Sequence, residues 1–147
     1  MCDVCTTLII YNIKTEYVNK KLSKMKSNNS LDKFGHFLVR NMRDNAIDFF
    51  DKLIEGYYKA TTLQKIHQEL SQFTSEQKDI IRKSFIAGID TSIHDFLFAL
   101  EEIHETADDI QIMVDGENVV RLSEELHREL LTKDGWFSRF SHYVIEF

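Results

Sequence analysis

The chain has 147 residues, 43% of them hydrophobic, eleven phenylalanines and a formal net charge of -6. That length suits one domain with one core, and that apolar content excludes a disordered chain, because enough surface can be buried to offset ordering entropy. No apolar run approaches the roughly eighteen residues of a membrane span.

The opening MCDVCTTLIIYNIKTEYVNKK puts an acid ahead of its apolar patch and bases behind it, the wrong order for a secretory signal. A cytoplasmic, reduced protein that touches no membrane is expected. Charge is distributed unevenly. Residues 1–73 hold eleven basic and eight acidic side chains, whereas residues 74–147 hold seven basic and sixteen acidic. Between Asp90 and Glu117 stand nine carboxylates and no lysine or arginine. Nucleic acid is repelled from such a stretch, and nowhere does a basic stripe interleave with aromatics, so no nucleic-acid partner is expected. The basic run KKLSKMK at 20–26 reads as a solvated helix face.

In chain order, Cys2 and Cys5 have C-x-x-C spacing, which supplies half of a zinc site at most and has no second pair to complete it. Residues 7–13 fit either a short strand or the opening of a helix. SNNS at 27–30 is a break, which makes 1–30 a peripheral N-terminal segment of a single domain. Asp32 is placed to cap a long helix over about 33–58. Phe34, Leu38, Met42, Ala46, Phe49, Leu53 and Tyr57 form its stripe, and Phe37, Ile47, Phe50, Ile54 and Tyr58 widen it. So broad an apolar arc predicts neighbours on two sides. Residues 61–73 read as a shorter amphipathic helix with Leu63, Ile66 and Leu70 inward.

Thr74 and Gln77 then form a capping box for a helix from about 75 to 107, roughly 48 Å long at the usual rise. Ile81, Phe85, Ile89, Ile93, Phe96, Leu100, Ile103 and Ala107 recur along it in steps of four and three. IQIMVDGENVVRL at 110–122 carries a hairpin signal around Asp115-Gly116. A two-residue turn fits the turn chemistry, and a four-residue loop pairing Val114 with Val119 and Met113 with Val120 fits the apolar positions. Ser123 opens a further helix over EELHRELL. Gly135 interrupts it before WFSRFSHY, where Trp136, Phe137, Phe140 and Tyr143 form a hydrophobic cap and Arg139 is placed to meet a carboxylate of the acidic segment. The expected fold is α+β and mainly α-helical: two long packed helices, shorter helices and one small β-hairpin near residues 110–121.

Chemistry concentrates on the long helix. With about 100° between successive residues and Ile89 at zero, Asp90, His94, Glu101, Glu105 and Asp108 fall at roughly 100–160°. Asp90 and His94 are four apart and can share a metal ion. Glu101 with His104 and Glu124 with His127 repeat the E-x-x-H spacing of carboxylate-bridged two-metal bundles, although the first long helix offers no suitable further glutamates. These six residues define the alternative reading, a metal-dependent hydrolase or oxidase holding zinc, manganese or iron.

No nucleophile elbow, phosphate loop or nucleotide fingerprint is present, and Ser92 and His94 point about 200° apart on a helix. The favoured reading therefore has no catalytic residue and no cofactor. It is an acidic protein-binding module whose surface is Asp90, His94, Phe98, Glu101, Glu105, Asp108 and Asp109. Phe98, at about 180°, either packs under the hairpin or serves as an exposed anchor. The partner is a protein with a basic surface, which suits an immunity-like or regulatory role, or a second copy of the chain.

The runs GIDTSIHDFLFALEE and VDGENVVRLSEELHRELLTKDGWFSRFSHY resemble a group of small uncharacterised bacterial proteins. In that group a helix with an H-D-F-L segment, here His94 to Leu97, precedes a V-D-G turn, here Val114 to Gly116. A G-W-x-x-R-F-S-x-Y ending follows, here Gly135 to Tyr143. The resemblance covers roughly residues 32–143 and implies no catalytic residue. Members similar in size and charge to immunity proteins strengthen the expectation of a neutralising role.

Overall fold

The computed structural model of the protein describes residues 29–106 and 110–143. The expectations for Cys2 and Cys5, residues 7–13, the basic run at 20–26, Ala107, Asp108 and Asp109 lie outside the described residues. The fold is mainly α-helical with one small antiparallel hairpin, as the sequence pattern predicts. Helix α1 covers 29–38 and continues through a π-helical turn, Val39–Asp44, into α2, Asn45–Ile54. Helix α3 is Thr61–Leu70 and the long α4 is Ser75–Thr106. Strands β1, Met113–Val114, and β2, Glu117–Asn118, lead into two 3-10 turns, Val119–Leu122 and Leu126–Glu129, and then into α5, Trp136–Phe140.

The π turn corrects the expected stripe of the first helix. A π turn bonds i to i+5 and inserts one residue relative to an α-helix, so the inward face slips by one position. Before it, Leu31, Phe34 and Leu38 are buried; after it, Arg43, Ile47 and Phe50 occupy the face that Met42, Ala46 and Phe49 were expected to fill. Met42 and Phe49 point to solvent instead. Asp32 does not cap a helix, because it lies within α1. The helix stops at Ile54 and not near 58. Gly56, with φ +72°, takes the left-handed position, and the Gly56 and Tyr57 amides bond to the Leu53 and Lys52 carbonyls.

At the start of α4 the capping box forms as expected. The Thr74 amide donates to Gln77 Oε1 at 2.9 Å, and the Gln77 amide donates to Thr74 Oγ1 at 3.3 Å. The buried residues of α4 are Ile93, Leu97 and Leu100. Leu97 takes the central place that the pattern gave to Phe96, which is 41% exposed. Nothing in α3 is buried, so Leu63, Ile66 and Leu70 do not enter a core of the described residues.

The hairpin settles on its two-residue turn. Val114 pairs with Glu117 and Met113 with Asn118, while Asp115 and Gly116 adopt φ of 52° and 82°. Two consecutive positive φ values are what a type I′ turn demands, and they suit Asp-Gly. Val119 and Val120 are thereby released to a 3-10 turn, where both are buried. The segment after Ser123 forms a 3-10 turn and not the expected α-helix.

One core joins α1, the π turn, α4, both 3-10 turns and α5. Trp136 sits in it fully buried, edge-on to Phe34 at 5.8 Å. It rests on Gly35, where any Cβ would come within 2.3 Å of the indole. The C-terminal motif is thus central to the core, more than a cap on it. No helix among the described residues is long and apolar enough to cross a membrane.

Candidate functional site

The acidic arc of α4 divides into inward and outward groups. Asp90 turns inward and accepts from Arg43, Nε at 2.6 Å and Nη2 at 3.1 Å. The Arg43 side chain is 1% exposed, with Phe137 beneath its guanidinium at 4.6 Å. Its remaining Nη1 donates to Ser141 Oγ, which donates in turn to Asp44 at 2.6 Å. The π turn, α4 and the chain after α5 are therefore locked together through one buried guanidinium.

Glu101 also faces the protein. It accepts from the His127 amide at 3.1 Å and lies 2.8 Å from His127 Nδ1. The two E-x-x-H pairs consequently do not act as pairs: Glu101 goes to His127, His104 Nε2 meets Arg121 Nε at 3.4 Å, and Glu124 is exposed. His94 stacks edge-on against His127 at 5.0 Å and contacts Asp95 at 3.2 Å. Among the described residues no three His, Cys, Asp or Glu side chains are placed to hold a metal ion.

What remains on the outside of α4 is Asp95, Phe98, Glu102 and Glu105, all exposed. At about 100° per residue these four fall within an arc of roughly 80°, opposite the buried stripe. Phe98 does not pack under the hairpin. It lies edge-on to His127 at 5.5 Å and stays 44% exposed, an aromatic side chain set among carboxylates. Arg139 does not reach this segment. Both its terminal nitrogens donate to Asp32 on α1, and those hydrogen bonds raise its pKa.

A second feature has little mark in the sequence. Between α1, α4 and β1 runs an apolar groove of about 460 Å³. Phe34 and Leu38 are its buried floor, while Phe37, Met42, Phe96 and Met113 rise from it, 62%, 44%, 41% and 53% exposed. At one end Lys33 Nζ binds Asp115 of the hairpin turn at 2.6 Å. The available signal was Phe37, too apolar for a solvent face yet outside the main stripe; Met42 carried none, because its exposure depends on the π turn.

Comparison with known proteins finds no matching family model, no similar curated protein and no similar solved structure.

Proposed function

We propose that the protein is a cytoplasmic, acidic protein-binding module that recognises a partner with a basic surface, in an immunity-like or regulatory role. The observation that carries this reading is the outer ridge of α4, where Asp95, Glu102 and Glu105 surround the exposed Phe98. Like charges at helical spacing destabilise the isolated helix. They raise the rate at which an oppositely charged protein meets the surface, and an aromatic among them supplies a contact that desolvates on docking.

Asp90 and Glu101 are left out of the binding surface because each satisfies an internal cation or donor. The test uses two baits in lysate of the native host, the wild-type chain and the Asp95→Lys/Glu102→Lys/Glu105→Lys variant. A basic protein retained at low salt by the first and lost by the second is the expected outcome. If both baits retain the same proteins, the ridge is not the binding surface.

A further inference from the structure

We infer that the groove between α1, α4 and β1 docks an amphipathic helix of a partner protein, with the helix's apolar ridge in the groove and lysines or arginines on its flank toward α4. The inference rests on the protein-binding reading and adds the second surface and the shape of the ligand.

Four large apolar side chains share one concavity, and none of them belongs to the core cluster of the described residues. Exposed apolar concavities of this kind mark recognition sites more often than scattered surface residues do. The π turn is what builds this one. In an uninterrupted helix Met42 would continue the line of Phe34 and Leu38 into the core. The one-residue slip buries Arg43 in its place and stands Met42 on the groove wall. π turns cost hydrogen-bond geometry and recur at functional sites. Two of the four exposed walls are methionines, Met42 and Met113, whose unbranched side chains adapt to an incoming surface.

The walls favour a helix over a strand. Two of the three are helical, and β1 has only two residues, too short an edge to template another strand. Residues at i, i+3 or i+4 and i+7 of an entering helix would meet the floor, as in helix-in-groove recognition. Charge then selects the occupant. Asp95 directly precedes the groove wall Phe96, about 100° around α4, and so edges the groove on its solvent side. The Lys33–Asp115 pair neutralises the far end. A second copy would bring its own carboxylates and a formal charge of -6 to this edge, whereas a basic helix complements it.

The chain has four methionines, so methyl-labelled methionine gives few signals, and Met42 and Met113 can be assigned by substitution with leucine. The full-length protein is titrated with a synthetic leucine–lysine helix of about eighteen residues, five turns long. The controls are a leucine–glutamate helix and a leucine–lysine peptide with its leucines spread around all faces. Saturable shifts of both methyls are expected with the first peptide, with at least about tenfold weaker binding of either control. Met42→Asp and Met113→Glu should each weaken binding by a similar factor while leaving the melting temperature nearly unchanged, since both side chains are exposed.

The groove assignment is overturned if the peptide binds without moving either methyl. It is also overturned if binding survives both groove variants. In either case loss of binding in the Asp95→Lys/Glu102→Lys/Glu105→Lys variant would leave the acidic-ridge reading standing. Equal binding of the leucine–glutamate helix overturns the basic flank. Concentration-dependent shifts without peptide, accompanied by dimer in sedimentation, overturn the hetero-partner in favour of a second copy.

Discussion

Replacing Asp90 with leucine removes the carboxylate that binds Arg43 through both of its oxygens. The guanidinium would keep one strong acceptor, Ser141 Oγ at 2.7 Å, and would stay in a site where its side chain is 1% exposed. Stranding a buried charge by deleting its partner costs about 3–5 kcal/mol, because desolvation is no longer offset. A domain of this size has about 5–15 kcal/mol of net stability in total. Each kcal/mol is worth about 2–4 °C in Tm, so the melting temperature should fall by roughly 6–20 °C. Urea unfolding followed by circular dichroism measures the loss directly. Arg43→Met combined with Asp90→Leu should lie much closer to wild type than Asp90→Leu alone, since no charge is then left unpaired. A loss below about 1 kcal/mol for Asp90→Leu would mean that water reaches the pair. The π turn would then not be clamped to α4 as described.

Other outcomes follow from single positions. Gly35→Ala should destabilise by at least about 1–3 kcal/mol in the same urea assay, because its Cβ would enter the Trp136 ring at 2.3 Å. Gly88→Ala should do the reverse and stabilise by roughly 0.5–1 kcal/mol, since the position is mid-helix and open. The Tyr143 phenol is raised above its usual value of 10.0, first by desolvation and then by the carboxylates of Asp48, Asp51 and Asp44. A raised folded-state pKa contributes stability that is whole below about pH 10 and is lost as pH climbs through the folded value. Ultraviolet titration should therefore show a late-ionising component that Tyr143→Phe removes, and the variant's stability should fall less steeply in alkali than that of wild type.

The elements that were legible carry local signals. Thr74 and Gln77 announce the start of α4 because a capping box is satisfied within four residues. Asp115-Gly116 announces the hairpin because positive φ at both positions is rare outside such residues. Gly135 and Trp136 separate α5 from the turn before it. The π turn has no comparable mark. VRNMRD reads as ordinary helix, and only packing around Arg43 shows that the inward face has slipped by one residue. That slip turns Met42 and Phe49 to solvent and raises Met42 on the groove wall, against the regular helical spacing. The acidic arc was legible as a set of carboxylates, but its division was not. Asp90 meets Arg43 across 47 positions, and Glu101 meets His127 across 26. Helical angle alone separates neither from Glu105, and the sequence distance hides their partners.

The central claim is that the outer carboxylates of α4 bring a basic partner to this surface. It is tested most directly by the association rate of the captured host protein, followed by stopped-flow across a range of ionic strength. For the wild-type chain the rate should fall steeply as salt rises, because the attraction acts over a Debye length of about 10 Å at 0.1 M. For the Asp95→Lys/Glu102→Lys/Glu105→Lys variant it should be slower at low salt and lose that fall, with the Tm nearly unchanged. Equal rates and equal salt slopes for the two proteins would contradict the account.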